Sequence, residues 1–231
     1  MWDDSDPLSL LDETFDDVSH NGTLAISGWQ NVAAADQRPW WGFDEAQTSP
    51  VSGTNRYAKA TAYQSRTAST GTWEMWLVTP ALDYNNAQGK VFAFSVMGEY
   101  MPEEGNPATL ELFYIDATDP TNVFMQVFDG LSIPKTADEN NVWVPFRIHL
   151  EEQPNIDIFH MAFRFTSPSG VEGGVTYYID NVSWGRTDLT GMEDVPYENT
   201  RSGLRTKTLR HGTLVIEQNG IKYNVLGVRV Q

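Results

Sequence analysis

Short runs in which every second residue is apolar dominate this chain. Phe92, Phe94 and Val96 form one such row, and Phe159, Met161, Phe163 and Phe165 form another. Residues two apart in an extended chain share a face, so each row predicts the core side of a strand. His160 and Arg164 fall between the apolar positions and are predicted to point away from that core. Further β-branched and aromatic runs, bounded by Gly, Pro, Asn or Asp, lie at 75–78, 90–96, 109–115, 142–148 and 176–179. No stretch sustains a helical period beyond about 10–12 residues. Many strands separated by turn clusters predict an all-β, jelly-roll antiparallel β-sandwich of the galactose-binding-like or concanavalin-like kind.

One irregularity is itself informative. Ile179 and Val182 both read as core residues, yet their odd separation puts them on opposite faces of a regular strand. A bulge at Asp180-Asn181 would reconcile the two. Between the strands, residues 31–56 read as a long polar loop holding Trp40, Trp41 and Phe43. Residues 98–108 read as an acidic, proline-punctuated connection holding Tyr100 and Met101. The pattern fades from Thr187 to Gly203. The organisation expected is an N-terminal extension (1–8), a sandwich (9–187), a linker (188–203) and a C-terminal β-hairpin tail (204–231). In that tail Leu214-Val215-Ile216 and the run 221–225 flank Asn219-Gly220, a pair that tolerates the positive φ of a tight turn.

Composition narrows the function classes. The net charge is −16 over 231 residues, but residues 201–231 carry six bases against one acid, leaving −21 on residues 1–200. A body this acidic repels phosphate backbones and argues against nucleic acid as a partner. With no cysteine there are no disulfides, thiolate metal sites or cysteine nucleophiles. No run approaches a transmembrane span, and Met1-Trp2-Asp3-Asp4 does not read as a signal peptide, so an export signal is expected to be absent from this chain.

Several blocks resemble the cleaved adhesin, or choice-of-anchor, jelly-roll domains of Bacteroidetes surface proteins. In order they are Glu13-Thr14-Phe15-Asp16, the runs 28–32 and 38–40, the run 57–63, Trp76-Leu77-Val78-Thr79-Pro80-Ala81-Leu82-Asp83, Phe163-Arg164-Phe165, and Tyr178-Ile179-Asp180-Asn181-Val182. The Trp-Leu-Val-Thr-Pro-Ala-Leu-Asp and Tyr-Ile-Asp-Asn-Val blocks are the specific ones. The tail at 209–216 and 223–227 resembles the end of a type IX secretion sorting signal, although the usual Asn-Pro opening is missing. The resemblance implies a secreted or outer-surface protein.

The resemblance also implies Ca²⁺ between the first and last strands, and carboxylates stand at both places: Glu13 and Asp16, and Asp180. Ca²⁺ takes six to eight oxygens, so backbone carbonyls, amides or water would complete the set, and the role would be structural. The alternative is that Asp180 only caps nearby backbone amides.

Most tryptophans, including Trp29, Trp73, Trp76, Trp143 and Trp184, read as packing residues. Trp40-Trp41 differs, because neighbours in an extended chain point to opposite sides. At least one is expected at the surface, where an indole stacks on a sugar ring or anchors a protein; the alternative is burial under the loop. Trp40, Trp41 and Tyr100 are therefore the candidate ligand contacts, with Met101 a weaker one. The chain lacks a Gly-x-Ser-x-Gly elbow, a His-Glu-x-x-His helix and phosphate loops. Its histidines, His20, His149, His160 and His211, are isolated. Glu103-Glu104 and Glu151-Glu152 read as solvated charge. The expectation is a non-enzymatic adhesion module that recognises a glycan or a host or matrix protein. The alternatives are a structural surface scaffold, or a carbohydrate-active enzyme built on two facing carboxylates.

Overall fold

A computed structural model describes residues 6–34, 37–44, 56–63, 72–117, 123–128, 136–150, 157–168, 174–187, 206–210, 213–218, 221–224 and 229–230, with backbone alone for 123–128 and from 206 onward. The chain divides into two units, Met1–Val195 and Pro196–Gln231. The stretch 188–203, expected to be a linker, lies outside the described residues.

Among the described residues twelve strands build the first unit: β1 (Leu11–Glu13), β2 (Gln30–Ala33), β3 (Trp41–Asp44), β4 (Arg56–Thr61), β5 (Thr72–Val78), β6 (Leu82–Asp83), β7 (Val91–Glu99), β8 (Thr109–Asp116), β9 (Val123–Phe128), β10 (Trp143–His149), β11 (Ile158–Pro168) and β12 (Thr176–Trp184). They form two six-stranded antiparallel sheets. The front sheet runs β10-β7-β12-β4-β3 with β1 along β12, and the back sheet runs β2-β5-β11-β8-β9 with β6 along β11. The architecture is an all-β sandwich, as the alternating pattern predicts.

The two apolar rows meet in the core. Phe92, Phe94 and Val96 of β7 and Phe159, Met161, Phe163 and Phe165 of β11 are all fully buried. Phe94 meets Phe163 edge-on at 5.1 Å, and Phe159 meets Trp184 of β12 at 5.1 Å and 90°. Edge-to-face contacts of this kind add about 0.5–1.5 kcal/mol beyond the area they bury. His160 and Arg164 do face the other way.

The predicted irregularity is present. Asp180 pairs with Ser95 and Ser183 with Ala93, so β12 carries one extra residue against β7 between these points. Asn181 occupies the left-handed region at φ 53°, which asparagine tolerates better than most residues. The bulge brings both Ile179 and Val182 into the core. It also divides the far edge of β12, where Thr176–Ile179 pair with β4 and Val182–Trp184 pair with β1.

One reading of the chain needs correction. The stretch 31–56 is not a single loop, because it contains most of β2 and all of β3. These strands have four residues each, and over so short a run alternation cannot be told from chance. His160 points away from the main core as expected, and it is buried there. Its strand lies inside the back sheet, and its Nδ1 sits 2.7 Å from the Thr79 carbonyl oxygen.

The second unit is an antiparallel four-stranded meander of β13 (Thr206–Arg210), β14 (Thr213–Gln218), β15 (Ile221–Asn224) and β16 (Arg229–Val230). Gln218 pairs with Ile221, leaving a two-residue connection at Asn219-Gly220. That pair and His211 lie outside the described residues.

Candidate functional site

Strands β3, β4 and β12 set out the candidate site in register: Trp41 faces Lys59, Lys59 faces Tyr178 and Thr61 faces Thr176. On β4 the small residues Ala58 and Ala60 enter the core, so Tyr57, Lys59 and Thr61 take the outer face. On β3, Gly42 lies against the Val18 side chain and the Ser19 backbone: a Cβ there would come within 2.3 Å of the Ser19 carbonyl oxygen. Trp41 and Phe43 therefore occupy the outer positions.

Trp40 and Trp41 part company as neighbours in an extended chain should. Trp40 is wholly buried in the core. Its backbone is fixed by the Asn31 side chain, whose Oδ1 accepts from Trp40 N at 2.9 Å and whose Nδ2 donates to Trp40 O at 2.8 Å. That pairing settles which indole turns in. Trp40 thus has no surface for a ligand, and its candidacy is withdrawn in favour of packing. Trp41 is half-buried and lines an open groove of about 720 Å³.

Tyr100 lines the same groove. It has φ 59° at the end of β7, and the left-handed turn sends consecutive side chains apart: Tyr100 is 63% exposed, whereas Met101 is buried. Asn140 holds this corner, its Oδ1 accepting from Met101 N at 2.9 Å. Met101 is therefore a core residue. Trp41 and Tyr100, distant in sequence, meet at one place.

The rest of the groove was not singled out as a site from sequence. Arg38 lies over the Trp41 ring, with Cζ 3.8 Å from its centre, and Nη1 donates to the Tyr63 carbonyl at 3.4 Å. Tyr63 is exposed at the rim. Lys59 Nζ stands 4.8 Å from the Phe43 ring centre and 5.5 Å from that of Tyr178. Burial lowers the pKa of Lys59, with Glu99 pulling the other way and Arg38 adding to the fall; burial lowers that of Arg38 too. Glu99 accepts the Tyr178 hydroxyl, and its charge is the main cause of a raised Tyr100 pKa. The available signal was the alternation of Ala with Tyr, Lys and Thr along β4. Which residues would stand beside Lys59 was fixed only by the pairing of three strands.

The expected metal residues also approach one another. β1 runs beside β12, and Asp180 feels the negative charges of Asp16 and Glu13. Burial chiefly, and then these charges, push its pKa from 3.8 to about 6 against the lowering effect of the Asn181 N–H. Glu13 is raised by burial and by Asp17, Asp16 and Asp12, while its bond from Phe15 N opposes the rise. Among the described residues no lysine or arginine forms an ion pair with these three. Their charge therefore fits a cation. Their arrangement fits less well: Asn181 donates to both oxygens of Asp180, at 2.7 and 3.0 Å, and no three acidic or histidine side chains among the described residues form a set that holds a metal ion.

The outer face of the back sheet has a different character. Arg164 lies 5.3 Å from the Trp76 ring centre and 4.7 Å from that of Phe113. It donates Nε and Nη2 to Glu111 Oε2 at 2.8 and 2.6 Å, and Glu74 is 3.9 Å from Nη1. Of the other tryptophans, Trp73 and Trp184 are buried, and Trp29, Trp76 and Trp143 are half-buried.

No family model matches the chain, and no curated protein does. Among solved structures the chain is similar to the K3 cleaved adhesin domain of Lys-gingipain from Porphyromonas gingivalis, at 16% identity over 75% of this chain and 96% of that one, with a TM-score of 0.42. It is similar to the CBM22-2 xylan-binding domain of Paenibacillus barcinonensis Xyn10C at 12% identity, covering 76% and 99%, with a TM-score of 0.35. It is also similar to the K1 cleaved adhesin domain of the same gingipain, at 18% identity over 75% of this chain and 96% of that one, with a TM-score of 0.48.

Proposed function

We propose that the first unit is a non-catalytic, glycan-binding adhesion module of an exported surface protein, and that the groove around Trp41 and Tyr100 is its binding site. One observation carries the reading: strands from distant parts of the chain bring Trp41, Tyr63 and Tyr100 to a single open groove. Asn21, Thr61 and Thr176 supply uncharged polar groups beside them. Aromatic faces with a few polar groups are what a sugar ring requires, because its C–H face stacks and its hydroxyls need partners. The basic tail is read as an export and attachment signal, on its resemblance to a sorting sequence.

Binding of the full chain to an immobilised glycan panel tests the site. Reproducible binding that is lost in Trp41→Ala and Tyr100→Ala, and kept in Trp76→Ala on the other outer face, is the expected result. Binding unaffected by the first two substitutions would refute this location for the site.

Calcium is a second, structural part of this reading. It is favoured by the mutual charge of Glu13, Asp16 and Asp180 and by the raised pKa of Asp180. A cation held there would join β1 to β12 and take no part in ligand chemistry. Ca²⁺ is expected to raise the melting temperature by mass action, and Asp180→Ala to abolish the increment. A purified protein free of calcium by elemental analysis, with no thermal shift, would remove it.

A further inference from the structure

The groove carries positive charge in a protein that is otherwise strongly negative. Arg38 and Lys59 both line it, and no aspartate or glutamate does among the described residues. Neither cation forms an ion pair among the described residues. The one acid with a marked effect on Lys59 is Glu99, whose carboxylate already accepts the Tyr178 hydroxyl. The chain as a whole has 31 acids against 15 bases, so two neighbouring cations without a carboxylate between them depart from its general character.

The geometry of Arg38 sharpens the point. Trp41 lies against the guanidinium, whose Cζ is 3.8 Å from the ring centre. Among the described residues only one of its five N–H donors is taken, by the Tyr63 carbonyl. Among the described residues its other donors are not engaged, and a planar fork matches a carboxylate or a sulfate oxygen pair. Lys59 adds a compact point charge, held over the Phe43 and Tyr178 rings.

We infer that the groove selects an anionic saccharide, with Arg38 and Lys59 receiving the acidic group of one sugar and Trp41, Tyr63 and Tyr100 contacting its ring and neighbours. This rests on the glycan-binding reading above and adds the ligand class to it. The negative body does not oppose a single sugar charge strongly, because exposed charges are screened beyond about 8–10 Å at physiological salt. It would disfavour a long polyanion, so a short or sparsely charged glycan is the expected partner.

An array carrying neutral, uronate-containing, sialylated and sulfated glycans tests the inference with the full chain, Trp41→Ala, Arg38→Gln, Arg38→Lys and Lys59→Gln. Hits dependent on Trp41 are expected to be predominantly acidic. Converting the carboxylate of a bound glycan to its methyl ester should weaken binding by about tenfold or more, in line with loss of a charge-assisted hydrogen bond. Arg38→Gln and Lys59→Gln should each narrow that acid-to-ester ratio. Arg38→Lys, which keeps the charge but not the fork, should narrow that ratio less than Arg38→Gln. Sialylated and uronate hits against sulfated hits identify the acidic group, and either supports the inference. Trp41-dependent hits that are mainly neutral, or an acid-to-ester ratio near one, would overturn it while leaving the glycan site in place. No Trp41-dependent hits at all would remove both readings. Lys59→Gln keeps the charge test available should Arg38→Gln fail to fold.

Discussion

Each outer face of the sandwich holds an arginine over a tryptophan, yet the two arrangements have opposite fates. On the back sheet, Arg164 lies over Trp76 and Phe113 and is closed off by Glu111 at 2.6 Å, with Glu74 beside it. On the front sheet, Arg38 lies over Trp41 with the Tyr63 backbone carbonyl as its hydrogen-bond partner among the described residues and an open groove beside it. The same pair of residue types is a finished piece of structure in one place and an unfinished one in the other. What separates them is the third residue: a carboxylate completes the first, and an external anion would complete the second.

Experiments on stability and binding can break this comparison. The largest effect is expected from Trp40→Ala, which removes a fully buried indole behind the groove and should cost about 3–5 kcal/mol in denaturant unfolding. Trp41→Ala, next to it in sequence, should lose ligand while costing no more than about 1 kcal/mol. Equal losses of stability would mean that Trp41 is also a packing residue.

Glu111→Ala comes next. It leaves Arg164, whose side chain is 28% exposed, without its closest acid. A loss of about 1–2 kcal/mol is expected, the upper range being reduced by solvent and by Glu74. Arg38→Ala should change stability by less than about 0.5 kcal/mol. A larger loss for Arg38 than for Glu111 would reverse the contrast between the faces.

Asp180 should give a smaller, pH-dependent effect. Its folded-state pKa of about 6 lies above the ordinary 3.8. The folded protein therefore holds this proton more tightly, and the resulting stability is fully present below about pH 4 and lost as pH rises through about 6. In metal-free buffer Asp180→Asn should flatten that fall and raise stability at pH 7 by about 1 kcal/mol, after allowance for the part of the group that remains in solvent. Thermal unfolding between pH 4 and 7.5 with chelator measures it, and an unchanged slope would contradict the assignment. With Ca²⁺ present the substitution should instead lower the melting temperature.

The smallest stability change tests the missing third residue directly. Tyr63→Glu puts a carboxylate at the exposed rim of the groove and should alter stability by only a few tenths of a kcal/mol. If the groove awaits an anion, this built-in acid should compete with it and abolish binding of acidic glycans. Undiminished binding would show that the cations do not receive the ligand's charge.

How much of this could be read beforehand depended on whether the information was local. The rows Phe92-Phe94-Val96 and Phe159-Met161-Phe163-Phe165 reveal their strands because each row carries its own period. Asp180-Asn181 reveals its bulge for the same reason: the mismatch between Ile179 and Val182 lies within four residues. The opposite facing of Trp40 and Trp41 is equally local, but which one turned in was settled by Asn31 on another strand. The groove was least legible. Arg38, Lys59 and Tyr63 become one surface only when β3 and β4 pair with Trp41 opposite Lys59, and register between strands is not written in either strand alone. The burial of His160 is likewise not local, since its Nδ1 meets the Thr79 carbonyl from far along the chain.

The pairing of β1 with β12 has a mechanical consequence. Leu11 lies opposite Trp184 and Glu13 opposite Val182, so the chain at residue 9 and the chain at residue 186 stand side by side. A Cβ on Gly185 would come within 2.0 Å of the Ser9 carbonyl oxygen, and Arg186 grips Asp12 at 3.0 Å. A pull applied between these two points would not shear the strands along their length. It would peel them from the shared end, one hydrogen bond after another, with the Arg186 and Asp12 latch first and Glu13 last. A module strung under tension by these two points would yield there first, with Leu11 drawn out of the core beside Trp184, and any ion joining Glu13 to Asp180 would be the stop at which the peeling halts.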